Sequence, residues 1–369
     1  MRIAFLVTGL EMGGAESQVV NLADRFAALG HSVLLISMSG SDAVVVLPQN
    51  YSVQLECLGM AKTLSGFYRA YRRAHDLVRA FAPDVLHSHM VHANVFARLL
   101  RLRTRVPRLI CSAHNTNEGG TSRMWAYRLT DALADMTTNV SQEAVDCFIR
   151  RGAVLPRKIM TIHNGIDCER FRFDGVLRTS LRASLRLPEH VQVLLAVGRF
   201  CEAKDYPNLL NAFAALCAQH ADCVLWIAGR GTQERLFEQA KTLGIDERVN
   251  FMGLRRDIPA LMCAADIFVL SSAWEGLPLV VGEAMSCERV VVSTDAGGIR
   301  EWLGNVGYVV PTRDSAALAA ALLRSLGLSF AEKSAQGRAA RERIVGHYSL
   351  TAVASRWFEV YQGNYATHG

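Results

Sequence analysis

The sequence predicts two doubly wound α/β domains, and three observations carry that expectation. The chain has 369 residues, more than one ordinary core accommodates, and 50% are hydrophobic, so each half can bury a core of its own. Short continuous runs of Val, Ile and Leu alternate with stretches of helical period, the pattern of parallel strands covered by helices on both faces. That alternation restarts after Asn164, Gly165 and a polar stretch over 166–190, which reads as the junction. The expected domains are residues 1–165 and 166–349. Residues 350–369 form a C-terminal helix, with a return to the first domain left open.

Each element follows from its own pattern. Residues 3–7 are an unbroken apolar run and read as a buried strand; 15–29 repeat apolar positions at helical spacing until Gly30 stops them. Strands follow at 33–37, 85–87, 108–112 and 159–162, with helices at 67–81, 91–102, 122–133 and 142–151. In the second half strands are expected at 191–197, 223–227, 249–252, 267–270, 290–293 and 308–310, again separated by helices. Helices near 313–326, 331–346 and 350–362 end the chain, the last carrying Trp357, Phe358 and Tyr361. Doubly wound sheets bind ligands outside the carboxyl ends of their strands, so chemistry is expected in those loops, in a cleft that the two domains face.

Composition narrows the function classes. Nine cysteines are scattered without a CxxC and read as reduced thiols, and no Cys/His set has zinc-ligand spacing. The first apolar run is too short for a secretory h-region, and no stretch reaches the ~18–20 residues of a membrane span. A cytoplasmic protein is expected, with a membrane surface still open to it. Residues 1–165 carry 18 Lys/Arg against 12 Asp/Glu and 166–369 carry 22 of each, so the whole +6 charge lies in the first half. No dense basic tract of the kind that binds nucleic acid accompanies it, and nucleic acid drops out as a partner.

Several loops at the strand ends carry glycine or charge. Residues 9–14 run Gly-Leu-Glu-Met-Gly-Gly into a helix, where glycine lets backbone N–H groups approach a phosphate. The spacing is not GxGxxG and no acid ends the second strand, which disfavours a dinucleotide; an ordinary tight turn accounts for these glycines equally well. The loop from Gly198 and Arg199 to Lys204 and Asp205 holds a guanidinium and an ammonium, either a diphosphate clamp or plain solvated charge. Gly229-Arg230-Gly231 and Gly253-Leu254 end the next two strands. The sharpest signal is Glu275-Gly276-Leu277-Pro278-Leu279-Val280-Val281-Gly282-Glu283, two carboxylates bracketing a Gly-Pro turn and a helix start. N–H groups between them suit an anion, and an acid among apolar neighbours needs a partner such as a sugar diol. The plain alternative for Glu283 is a first-turn glutamate that complements the helix dipole.

In order and spacing these elements resemble the retaining GT-B glycosyltransferases of family 4, which build bacterial capsule, O-antigen or lipid-linked glycans from nucleotide sugars. The resemblance covers nearly the whole chain, and the Glu-x7-Glu element with its upstream Arg…Lys pair is its specific part. It implies a GT-B fold of two Rossmann-like domains. It implies that Arg199 and Lys204 hold the donor diphosphate, with Gly198 and Arg230 in the donor-binding loops. Glu283 would accept the ribose hydroxyls and Glu275 would contact the donor sugar. Backbone at Gly276, Leu277, Pro278 and Leu279 would meet sugar and phosphate, Gly253 and Leu254 the base, and Gly14 the phosphates from the opposite domain. His114 stands where the family presents a histidine to the donor sugar; a buried structural histidine is the alternative. Gly13, His89, Asn94 and Asn139 are candidates for the acceptor side, as is Ser141. His87, His89 and His92 form a metal-like cluster, but no carboxylate joins them, and the resemblance implies neither metal nor cofactor.

The expected reaction is transfer of an N-acetylhexosamine or hexose from a UDP-sugar to a hydroxyl of a glycan acceptor, with retention at the anomeric carbon. No carboxylate of the first domain stands out as a nucleophile, Glu118 being only a loop residue, so front-face attack is favoured. Arg69, Arg72, Arg73 and Arg79 lie on one helix, and Arg98, Arg101, Arg103, Arg105 and Arg108 crowd another segment. Together they read either as a face for anionic lipid, presenting a polyprenyl-diphosphate-linked acceptor, or as a solvated surface. A nucleotide-sugar epimerase of the same shape and a non-catalytic nucleotide-sugar-binding protein stay open as other classes.

Overall fold

The computed structural model describes residues 1–116, 118–220 and 222–364. They fold as two compact units, Met1–Gly165 with the chain from Leu350 onward, and Ile166–Ser349. The first unit begins with β1 (Arg2–Val7), α1 (Gly14–Ala28), β2 (Ser32–Ser37), β3 (Val53–Cys57), α2 (Leu64–Phe81) and β4 (Val85–His89). It continues with α3 (Val91–Leu100), β5 (Arg108–Ser112), α4 (Thr121–Thr130), β6 (Met136–Asn139), α5 (Gln142–Arg150) and β7 (Ile159–Thr161). The second unit holds α6 (Gly175–Ser184), β8 (Gln192–Val197), α7 (Tyr206–Cys217), β9 (Cys223–Ala228), α8 (Glu234–Thr242), β10 (Val249–Gly253) and α9 (Ile258–Ala264). Then come β11 (Ile267–Leu270), α10 (Leu279–Ser286), β12 (Val290–Thr294), α11 (Ile299–Leu303), β13 (Tyr308–Val310), α12 (Ser315–Leu326) and α13 (Phe330–Tyr348). The last helix, α14 (Leu350–Gln362), belongs to the first unit.

One sheet runs β3-β2-β1-β4-β5-β6-β7 and the other β10-β9-β8-β11-β12-β13, with parallel pairing in both. Each order reverses once, at β1/β4 and at β8/β11, and a doubly wound sheet opens its crevice at such a reversal. The two faces of β1 show why the strand is apolar throughout. Ile3, Phe5 and Val7 pack with Val19, Leu22 and Phe26 of α1 and with Val353 and Trp357 of α14. Ala4 and Leu6 pack on the other face with Ala74 and Val78 of α2 and Phe96 of α3. In the second unit Leu194 and Ala196 of β8 join Leu209 and Phe213 of α7 and Leu318 and Leu322 of α12. Side-chain acceptors set the starts of α2 and α13: Thr63 Oγ1 takes the Gly66 N–H at 3.0 Å, and Ser329 with Glu332 closes a capping box.

Three elements lie where the apolar pattern does not mark them. β3 is an edge strand in which only Val53 is buried, so Gln54 and Glu56 dilute its alternation. β6 is buried throughout but polar: Thr137 Oγ1 accepts from Arg98 and Thr138 Oγ1 pairs with Ser112 Oγ at 2.7 Å. The stretch 166–190, expected as a linker, contains α6. Its Arg182 is buried and donates to the Pro188 and Val191 carbonyls, both at 2.7 Å, while Arg178 meets Asp266 at 2.9 Å. A helix of polar sequence is thus fastened by guanidinium groups turned inward.

Candidate active site

In the second unit the loops leaving β8 and β11, neighbours at the reversal, are stitched to each other. The Ala273 N–H donates to the Ala203 carbonyl and Ser271 Oγ to the Lys204 carbonyl, each at 2.8 Å. This brings Lys204 Nζ to 2.7 Å from Glu275 Oε1, with side chains only 15% and 17% exposed. Ser272 Oγ donates to the same oxygen at 2.8 Å. Opposite charges shielded in this way attract more strongly than a surface pair, and stranding either partner is costly.

Backbone contacts fix the neighbouring loops. A Cβ on Gly229 would lie 1.8 Å from the Gly198 carbonyl oxygen, so only glycine permits this approach. The Gly229 N–H donates to the Gly253 carbonyl and the Phe200 N–H to the Arg230 carbonyl, both at 2.8 Å. The Lys204 stem crosses Gly198, where a Cβ would come within 2.6 Å of Lys204 Cε, and Tyr206 Oη donates to the Gly198 carbonyl at 2.9 Å. Arg199, Arg230 and Leu254 are exposed along this edge.

The segment between the two glutamates is equally defined. Gly276, Leu277 and Pro278 are buried, and the Gly276 carbonyl accepts from Gly298 N–H at 2.8 Å. α10 starts at Leu279 on a Pro278 cap, and in its first turn the Val281 N–H reaches the Pro278 carbonyl at 3.1 Å. Glu283 is the fifth residue of α10, hence in its second turn, beyond the range over which a helix dipole rewards a carboxylate. It is half-buried, and its carboxylate takes no hydrogen bond among the described residues. Burial pushes its carboxyl up to about 7, and the Arg170 guanidinium pulls the other way.

In the first unit Gly13 caps α1 and Gly14 is its first residue. Glu16 folds back beneath this turn, where a Cβ on Gly13 would lie 2.3 Å from Glu16 Oε2. The positive end of α1 therefore already faces a carboxylate of its own first turn.

At the β1/β4 reversal of the first unit, His87 and His89 share one face of β4 with ring centroids 3.9 Å apart. His87 bonds Tyr361 Oη through Nδ1 and Ser112 Oγ through Nε2, each at 2.7 Å. His89 Nδ1 and His114 Nε2 share a hydrogen bond of 3.0 Å. Burial holds His87 and His89 well below the ordinary imidazole range, with neighbouring imidazoles adding to the effect, and lowers His114 to about 4. His92 is exposed on α3 and outside this group, whose third member is His114. Among the described residues no His, Cys, Asp and Glu side chains gather as a metal site.

Burial divides the acceptor-side candidates: Gly13 is half-buried, whereas His89, Asn94 and Asn139 lie inside the first unit. His89 is 1% exposed, its ring turned onto His114. Asn94 is fully buried: it donates to the Ser112 carbonyl and Tyr127 Oη and accepts from Ser88 Oγ. Asn139 is buried too, donating to the Asn115 carbonyl at 3.2 Å, and Ser141 caps α5. The arginine-rich segment also divides. Arg98 is buried against the Tyr127 carbonyl, Thr130 and Thr137, Arg101 pairs with Asp135 at 2.9 Å, and Arg108 reaches the Val360 carbonyl. Glu118 is more than a loop residue: its carboxylate accepts the His114 N–H at 3.0 Å and Tyr127 Oη at 2.7 Å. Burial raises that carboxyl. Ser272, Arg170, Glu118 and Tyr127 carry no motif signal; only their neighbours' spacing points to them.

The chain matches two family models in succession, Glycosyltransferase Family 4 over residues 12–170 and Glycosyl transferases group 1 over residues 191–327. It is similar to glycogen synthase of Mycobacterium tuberculosis, 28% identical across 95% of this chain and 91% of the relative. The lipopolysaccharide core biosynthesis glycosyltransferase LpsE of Rhizobium meliloti is 28% identical, covering 65% of this chain and 66% of its own. Anabaena HepE in complex with UDP superposes with a TM-score of 0.87 at 21% identity, over 98% of this chain and 100% of the other.

Proposed function

We propose that this chain, which belongs to the glycosyltransferases through its Family 4 and group 1 domains and has the GT-B fold, transfers a sugar from a UDP-sugar to a glycan hydroxyl with retention. The observation that carries the reading is the shielded Lys204–Glu275 pair at the β8/β11 reversal, with exposed Arg199 on the same loop as Lys204. As the anomeric C–O bond breaks, negative charge grows on the leaving diphosphate. Lys204 and Arg199 neutralise it, and the first-turn N–H groups of α10 add to that field. Glu275, aligned by Ser272, is assigned to the donor sugar, and Glu283 to the ribose diol. The acceptor oxygen attacks on the face the diphosphate leaves, and its proton passes to a departing phosphate oxygen. Glu118 is spent on His114 and Tyr127, which argues against its use as a nucleophile and favours the front-face route.

The names of relatives support the finer choices. HepE is described in complexes with UDP and with UDP-glucose. An N-acetylglucosaminyl group appears in the names of the yeast phosphatidylinositol N-acetylglucosaminyltransferase GPI3 subunit and the N-acetyl-alpha-D-glucosaminyl L-malate synthase of Bacillus anthracis. LpsE supports a role in surface polysaccharide synthesis. The proposed acceptor is lipid-linked. α2, with exposed Arg69, Arg72, Tyr68 and Leu64, is the face for peripheral contact at a cytoplasmic membrane surface. The reaction is proposed to run without metal, the cations being supplied by Lys204 and Arg199.

Incubating the purified chain with a panel of nucleotide sugars, with and without membrane lipid extract, tests the reading. Turnover of a UDP-sugar is expected, and Lys204→Ala should lower kcat/KM by about 100-fold or more while the variant still folds. Near-wild-type turnover in that variant, or isomerisation of donor supplied alone, overturns the assignment.

A further inference from the structure

We propose that His89 is a positioning residue: by donating its Nδ1–H to His114 Nε2, it fixes His114 in the tautomer that offers Nδ1–H to the donor sugar. The inference rests on the proposed glycosyl transfer and on the expectation, drawn from the family resemblance, that His114 meets the donor sugar. Only one proton lies between the two rings, which approach to 3.0 Å. The remaining nitrogens, His89 Nε2 and His114 Nδ1, are both shielded and have no partner among the described residues. The direction of the shared bond therefore decides which ring is left with an unspent N–H. If His114 donated, His89 would hold an N–H inside the core with nothing to bond. Protein interiors avoid an orphaned donor more strictly than an unpaired acceptor. If His89 donates, His89 keeps only a bare lone pair, and the unspent N–H lies on the shielded Nδ1 of His114, the less buried residue of the two, where a bound ligand can satisfy it.

The surroundings remove the competing routes. His87 faces His89 at 3.9 Å, but both its nitrogens are spent, on Tyr361 and Ser112. Phe5 covers His89 with an apolar ring at 5.9 Å. Glu118 pins the loop through the His114 backbone N–H and leaves the imidazole alone. The strand end is held as well. His89 pairs with Val7 and Ser112, and Met90 immediately after it has φ 72 and ψ 155, a conformation that side chains other than glycine's adopt only when neighbours enforce it.

Nitrogen-15 NMR of the histidine rings in the full chain reads the tautomer directly. His114 is expected as the Nδ1–H form, and His89→Phe, which keeps a ring but cannot donate, should lose that single form. With UDP-glucose and UDP-N-acetylglucosamine as donors, the same variant should lose about tenfold in kcat with donor KM changed less than about twofold. His89→Asn, whose amide nitrogen stands near the lost Nδ1, should recover both the tautomer and most of kcat. An Nε2–H tautomer in the wild type, or equal kcat in the Phe and Asn variants, overturns the proposal. If His114→Ala turns over at the wild-type rate while the tautomer still follows residue 89, the assignment of His114 to the sugar fails and the bond direction stands.

Discussion

A carboxyl that ionises near neutrality makes a pH-dependent ligand, and Glu283 is such a group. Its ordinary value is 4.5, and burial in α10 raises it to about 7. Between those values the folded chain holds a proton that the unfolded chain has released. The stability this contributes is fully present below 4.5 and is lost as pH rises through about 7. Binding runs the other way, because only the ionised carboxylate accepts two hydroxyls without a proton to give up. Affinity for UDP-N-acetylglucosamine, followed by calorimetry, should tighten by about tenfold from pH 6 to pH 8 and become flat in Glu283→Gln. A slope that survives in Glu283→Gln would remove the residue from the donor site. The spacing Glu-x7-Glu made both acids legible. Their different surroundings were not, because Glu275 owes its ion pair to Lys204, on a loop that meets it only in the folded chain.

At the level of elements, strand ends located the candidate loops, and backbone contacts between loops decide how firmly Lys204 is held. Gly229 is the tightest of these contacts. A methyl group there meets the Gly198 carbonyl and must push apart two loops that also share the Phe200–Arg230 hydrogen bond. Gly229→Ala is expected to destabilise the second unit by about 1–3 kcal/mol in urea unfolding and to weaken donor binding, since Gly198 underlies the Lys204 stem. An unchanged midpoint with unchanged affinity would show that the loops tolerate separation. Polar positions explain what the pattern missed. Asn94 and Arg98 are one helical turn apart on the buried side of α3, and Thr137 and Thr138 fill β6. An apolar-run criterion skips such a strand and reads such an arginine as surface, although the i, i+4 spacing of Asn94 and Arg98 beside Val91 was available in the sequence.

For the molecule as a whole, charge and chain path divide differently. The +6 excess belongs to residues 1–165, yet Arg98, Arg101 and Arg108 spend their charge on internal partners, while Arg103 and Arg105 beside them stay exposed, as do Arg69, Arg72 and Arg79 of α2. The chain path is governed by α14, which buries Val353, Trp357, Val360 and Tyr361 in the first unit. Each such side chain contributes roughly 1.5–3 kcal/mol on burial, so together they approach the ~5–15 kcal/mol that stabilises an ordinary domain. Tyr361 also bonds His87, which ties this helix to the histidine group. A chain ending at Ser349 should therefore lose the calorimetric transition of the first unit while the second, Ile166–Ser349, keeps its own. Retention of both transitions would mean that β1 and α1 close their core without the last helix. In that case Tyr361→Phe should leave the first unit's melting temperature unchanged as well. If α14 is instead required, losing the His87 bond in Tyr361→Phe should lower that temperature alone, because the orphaned ring nitrogen is buried where water does not replace the hydroxyl.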